Sequence, residues 1–286
     1  MNLKQFQIIA ASFLVFIVLF TVSAFDQKKN PESPWFFIQL TDPQFGMFDN
    51  NAGFEKETVL YEKAVTEINK LNPDFVVITG DFVNDRNSAA QIAEFKRITA
   101  MINPSIPVYY SPGNHDIGQT PNKESLKKYK KNYGSDRFSF KHKGSSFIGF
   151  NTGLIKAKLE KQEKKQFNWL KKKLQQSQNS QQIILFTHYP FFNKTAGEPT
   201  AYSNIDQEYR EKYLRLFSNN RVSAVFSGHY HNNSLSTHEN LQLVTTSALG
   251  KPLGEVPSGF RIVKVYRDKI EHEYYGLENV PDSVVF

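Results

Sequence analysis

The chain has 286 residues, 40% hydrophobic and 14% aromatic, enough to bury the core of one large domain. It contains no cysteine, which excludes disulfides, thiolate metal sites and cysteine nucleophiles, so any metal site must draw on His, Asp, Asn or Gln. The formal charge of +7 raises nucleic acid as a partner, but the lysines sit mostly in helix-like stretches such as 156–173 and 123–131, without the aromatic interleaving of a base-stacking platform. That is the pattern of a solvated face, and no nucleic-acid partner is expected.

At the N-terminus, Lys4 precedes an apolar run over 8–22, and Val22-Ser23-Ala24 puts small residues where a signal peptidase would cut before Phe25. Residues 1–24 read as a signal peptide or, because the run approaches the lower length limit for a membrane span, as an uncleaved anchor. Either way the remainder is expected to be exported, to a periplasm or outside the cell, with a membrane contact only in the second case. Residues 25–33 are polar, carry Pro31 and read as a linker. Residues 34–280 read as the folded domain and 281–286 as a loose tail.

The domain opens with an apolar strand over 35–40 that runs into Thr41-Asp42-Pro43-Gln44-Phe45-Gly46. A carboxylate just past a strand's carboxyl end is where α/β folds place chemistry, although Asp42 can equally cap a turn. Over 55–71, Leu60, Ala64, Ile68 and Leu71 recur at helical spacing. A second strand over 75–79 ends in Gly80-Asp81. After a helix over 89–102, a third over 106–110 ends in Gly113-Asn114-His115-Asp116. Three strand–helix units in a row imply parallel neighbours with their ends at one edge of a sheet.

Residues 138–140 and 146–150 form a hairpin pattern, and 160–175 an amphipathic helix with a lysine-rich outer face. A strand over 182–187 ends in His188, the loop 193–206 is long enough to line a pocket, and 208–217 is helical. The strand over 222–226 then runs into Ser227-Gly228-His229-Tyr230-His231. Short β patterns over 241–245, 259–265 and 270–275 suggest a second, largely antiparallel sheet. His142, His238 and His272 lie in polar contexts and read as surface residues.

The strand ends together supply Asp42, Gln44, Asp81, Asn114, His115, His188, His229 and His231. Oxygen and imidazole donors without sulfur suit Zn, Fe or Mn, and the set is large enough for two ions sharing a carboxylate.

In order, Asp42-x-Gln44, Gly80-Asp81, Gly113-Asn114-His115-Asp116, His188 and Gly228-His229-x-His231 resemble the motif set of the calcineurin-like metallophosphoesterases. Asp42-Pro43-Gln44-Phe45-Gly46 and Ser247-Ala248-Leu249-Gly250 narrow the resemblance to the branch described as serine/threonine protein phosphatases. It implies a four-layer αββα sandwich of two mixed β-sheets flanked by helices, and two divalent or trivalent ions (Mn, Fe or Zn). Asp81 would bridge them, with Asp42 and His231 completing the first site and Asn114, His188 and His229 the second. Gln44 departs from the histidine usual in the family. Its amide oxygen either ligates the first ion or bonds to an ion-bound water.

Two such cations, about 3.5–4 Å apart, acidify a water between them and clamp phosphate oxygens, so that hydroxide attacks phosphorus directly. His115 is expected to protonate the leaving oxygen or stabilise the transferring group, and Asp116 to fix its tautomer, to cap the helix that follows, or both. Asn84, Asp85 and Tyr202 are placed near the pocket without an assigned role. The expected activity is hydrolysis of phosphate monoesters on a phosphorylated substrate, by a monomer. The alternatives are a phosphodiesterase and a non-catalytic phosphate-binding protein with a weakened first site.

Overall fold

The computed structural model describes residues 33–286. The expected export segment and all but the last linker residue lie outside them. Among the described residues no helix is long and apolar enough to cross a membrane.

Strand β1 (Trp35–Leu40) shows how the layers arise. Its side chains alternate between two faces, as in any strand. Ile38 and Leu40 face a core shared with α1 (Glu55–Leu71) and α2 (Ala89–Thr99), whereas Trp35 and Phe37 face a second sheet. β1 pairs in parallel with β2 (Val76–Ile78), and β2 with β3 (Val108–Tyr110). A four-residue helix, α3 (Asn114–Ile117), and then α4 (Lys123–Tyr133) follow β3.

The second sheet starts with the antiparallel pair β4 (Phe138–His142) and β5 (Ser145–Gly149). After α5 (Gly153–Lys156) and α6 (Glu160–Gln176), β6 (Ile183–Phe186) lies parallel to β5. Helix α7 (Gln207–Asn219) leads to β7 (Ala224–Ser227), parallel to β6. α6 and α7 cover the outer face with Leu170, Leu174, Tyr213, Leu214 and Phe217.

Between the sheets lies an aromatic layer. Phe37 stacks on Phe75 at 4.8 Å and meets Phe186 and Phe226 edge-on at 5.7 and 6.0 Å. All four rings are buried, each contributing about 1.5–3 kcal/mol of hydrophobic stabilisation. The result is two mixed sheets flanked by helices, as the family resemblance implied.

Three parts of the expectation need correction. β10 (Gly259–Val265) and β11 (Ile270–Gly276) pair antiparallel but extend the first sheet, because β10 adds to β1. β10 buries Phe260 and Ile262 on one face and Val263 and Val265 on the other, which suits an inner strand. β9 (Leu241–Thr245) joins the second sheet parallel to β7, with polar β8 (Ser234–His238) on its edge. The C-terminal residues, though largely exposed, are tethered: Asp282 pairs with Lys70 at 2.6 Å, and the Phe286 ring lies 6.3 Å from that of Phe36.

His272, in turn, is not a surface residue. Its Nδ1 accepts from Arg261 at 3.1 Å and its Nε2 donates to Gln242 at 3.1 Å. Arg261, 6% exposed and without a carboxylate partner, also donates to Thr246 (2.9 Å) and to Asn233 Oδ1 (2.8 Å). The network thereby braces the segment just after His231.

Candidate metal centre

The carboxyl ends of β1, β2, β6 and β7, with the short helix after β3, meet at one edge of the sandwich, where open parallel sheets leave a crevice. Their loops are laced by backbone hydrogen bonds. Asp42 N–H donates to Gly80 at 3.0 Å, Gln44 to Asp81 at 2.9 Å, Gly228 to His188 at 3.0 Å and Gly250 to Asp42 at 3.0 Å. The last of these places the Ser247-Ala248-Leu249-Gly250 motif against the Asp42 turn.

Asp42, Gln44, Asp81, His229 and His231 all have positive φ, between 36° and 67°. Each such turn costs an L-residue about 1–2 kcal/mol, and such strain concentrates at functional sites. Close approach explains Gly228. A Cβ there would lie 1.9 Å from Thr41 Oγ1 and 2.5 Å from Asp42 Oδ2.

Three imidazoles share one arrangement. His188 Nδ1 donates to the Thr79 carbonyl (2.8 Å), His231 Nδ1 to Lys251 (2.7 Å) and His229 Nε2 to Tyr202 (3.1 Å). The other nitrogen of each ring, unprotonated in the neutral tautomer, turns inward. Metal-ligating histidines are oriented in this way.

The inward atoms are close together. His188 Nε2 is 3.2 Å from Asp81 Oδ2, 3.1 Å from Asn114 Oδ1 and 3.2 Å from His229 Nδ1. His231 Nε2 is 3.3 Å from Asp42 Oδ1. Asp81, His188 and His229 offer ligand atoms all within 4.8 Å of one another. Gln44 Oε1 is buried with no hydrogen-bond partner among the described residues, and the only group facing buried Asp42 Oδ1 is His231 Nε2, at a long 3.3 Å. Buried acceptors so poorly paired are costly, and a cation would satisfy both.

Electrostatics point the same way. Burial pushes the Asp81 carboxyl up, but His188 and His115 outweigh it and hold Asp81 below the usual range. Burial likewise raises Asp42, and His231 and His188 reverse the sign. Burial alone would lower His188, yet Asp81 and Asp42 raise it to about 9, and Asp42 raises His231. His229, depressed by burial and by His188, falls to about 3. Two buried carboxylates are thus balanced by imidazole protons, a role that a bound cation would take over as it displaced those protons. The donor set fits metal ions.

Of the two roles expected of Asp116, the structure shows the capping one and no hydrogen bond to the His115 ring. Its carboxylate accepts backbone N–H groups from Asp81 (2.8 Å), Phe82 (2.9 Å) and Gly113 (2.8 Å), so it holds the Asp81 turn and the start of α3. Burial and the charge of Asp81 push it well above the usual carboxylate range, against the pull of those donors. His115 is instead fixed by Asn84, whose carbonyl receives its Nδ1–H at 2.8 Å. Sequence reasoning missed the carbonyls of Thr79, Asn84, Tyr202 and Lys251, since any residue type supplies a carbonyl. Tyr202 also bonds Gln119 (3.0 Å) and Asn114 (3.5 Å) through its hydroxyl and lies over His229, 4.8 Å between centroids.

Residues 37–233 match the calcineurin-like phosphoesterase family. The chain is 35% identical over 281 residues to the Serine/threonine-protein phosphatase CPPED1 of Rattus norvegicus, covering 91% of this chain and 90% of that one. It is also 35% identical over 285 residues to the Homo sapiens protein of the same name, covering 92% and 91%. Among solved structures, a dimetal phosphatase from Danio rerio superposes with a TM-score of 0.62 at 15% identity, over 87% of this chain and 97% of that one. A match over most of the domain, relatives at this identity and the shared fold together show that the chain belongs to the calcineurin-like phosphoesterase family.

Proposed function

We propose that the protein is a two-metal phosphatase that hydrolyses phosphate monoesters, with phosphoserine and phosphothreonine as the substrate class. The observation that carries this reading is the inward convergence of imidazole nitrogens with carboxylate and amide oxygens at the strand ends. The substrate class rests on the relatives, which are named serine/threonine-protein phosphatases.

In this reading Asp42, Gln44 and His231 hold the first ion, Asn114, His188 and His229 the second, and Asp81 lies between them. The donor chemistry suits Mn, Fe or Zn. Bound there, such ions would supply an acidified water and positive charge beside the phosphate oxygens. Protein groups supply the rest. His115, half-buried at the rim, keeps its Nδ1–H on Asn84 and passes a proton from Nε2 to the departing alkoxide. Asp116 holds the Asp81 turn so that its carboxylate faces inward. Export through residues 1–24 belongs to the same proposal and rests on their sequence pattern.

The test is hydrolysis of phosphoserine peptides and of an aryl phosphate in Mn²⁺, set against a matched diester. Monoester turnover that chelator abolishes is expected. Faster diester cleavage would overturn the monoester assignment, and bound metal without turnover on any ester would overturn the enzymatic one.

A further inference from the structure

The Gln44 side chain raises a question of polarity: an amide presents either an oxygen, which a cation attracts, or an NH₂, which it repels. The answer starts from a group whose polarity is fixed. The backbone N–H of Asp85 donates to Gln91 Oε1 at 2.9 Å. That leaves Gln91 Nε2 as the donor to Asn51 Oδ1 at 2.9 Å. Asn51 Oδ1 also accepts from Asn84 Nδ2 at 2.9 Å, so Asn84 Oδ1 faces the other way. It accepts from Gln44 Nε2 at 3.0 Å. Gln44 Oε1, buried and without a hydrogen-bond partner, is therefore the amide atom left free to accept. Flipping any one amide sets two acceptors or two donors face to face, so the direction propagates along the whole chain.

The same residues explain sequence features the catalytic reading leaves aside. Gly46, at φ 99°, makes room for the relay, since a Cβ there would fall 2.3 Å from Gln91 Nε2 and 2.9 Å from Asn51 Oδ1. Asn51 itself has φ 68°, a conformation asparagine tolerates. Asn84 is the branch point. Its side chain fixes Gln44 while its carbonyl fixes His115.

We propose that Asn84, Asn51 and Gln91 are positioning residues that present the Gln44 amide oxygen to a divalent cation at the first site. This rests on the two-metal reading above. Outer partners of metal ligands typically change affinity about 10–100-fold when removed.

The test is a calorimetric Mn²⁺ titration of the metal-stripped full chain and two variants. Asn51→Gly removes the shared acceptor while keeping a residue that accepts positive φ; Asn51→Asp keeps an acceptor for both amides. The expected result is that Asn51→Gly weakens one of two Mn²⁺ sites about 10-fold or more and leaves the other within about twofold, and that Asn51→Asp restores wild-type binding. Unchanged affinities in Asn51→Gly, or equal weakening of both sites, would overturn the relay. Wild-type protein that takes up fewer than two ions would overturn the two-metal reading instead.

Discussion

The Nδ1–H of His115 sits 2.8 Å from the carbonyl of Asn84, which leaves Nε2 as the ring atom free to meet a substrate. If Nε2 protonates the leaving oxygen, the cost of losing it depends on how much that oxygen needs a proton. His115→Gln should lower kcat about 10²–10⁴-fold on an alkyl phosphate such as phosphoserine, and much less on a nitrophenyl ester, with KM and bound metal little changed. Equal losses on both esters would remove the acid role from His115.

Asp81 faces His188 through Oδ2 while Oδ1 accepts the N–H of His115 at 2.7 Å. Asp81→Ala should therefore lose both ions and all turnover, read by elemental analysis after gel filtration. Retention of two ions would rule out the shared position.

Gln44→His puts an imidazole nitrogen in place of a buried amide oxygen that has no hydrogen-bond partner. It should tighten the first ion by about tenfold for Zn²⁺, which prefers nitrogen donors over neutral oxygen. A Zn²⁺ titration in which both affinities stay at wild-type values would show that Gln44 does not contact an ion.

Gly228→Ala drives a methyl group into Thr41 and Asp42. Overpacking of this kind costs about 1–3 kcal/mol, or about 2–10 °C in Tm for a protein of this size. Because Asp42 is one of the two obstacles, Mn²⁺ affinity should fall together with Tm. A variant that melts like wild type and binds metal normally would contradict the packing described here.

His272 gives a pH prediction remote from the metal ligands. Burial, reinforced by Arg261, lowers its pKa from 6.5 to about 4. Between those values the unfolded chain binds a proton that the folded chain refuses, so stability rises with pH through this window and is lost on acidification. The loss is about 3 kcal/mol at most between pH 6.5 and 4. Urea unfolding at pH 7 and pH 4.5 should show it in wild type and show less of it in His272→Gln. An equal pH effect in both proteins would assign it elsewhere.

The order of strands and helices in the first half was legible because each ends in an acid or histidine beside glycine or proline, and periodicity separates strand from helix. Asp42, Asp81, Asn114, His188, His229 and His231 were legible for the same reason. The placement of β10 was not, since a strand buried on both faces fits either sheet until its partner is known. Nor was the support of His115 legible. Asp116 is adjacent in sequence, but its carboxylate is occupied by three backbone N–H groups, and the group that holds the ring is a carbonyl 31 positions away. The amide chain from Asp85 to Gln44 spans residues whose types recur in any loop, so only their proximity reveals it.

The stacked rings between the sheets set the spacing of the chemistry. Asp42 and Asp81 ride on one sheet, His188, His229 and His231 on the other, so the aromatic layer works as a spacer whose thickness fixes the gap between the two halves of the ligand set. Shaving one ring, as in Phe226→Leu, thins that spacer about 6 Å from the Phe37 ring and brings the sheets together or tilts them. Such a substitution, at a residue that touches neither ion nor substrate, would then shift Asp42 and Asp81 relative to His188, His229 and His231.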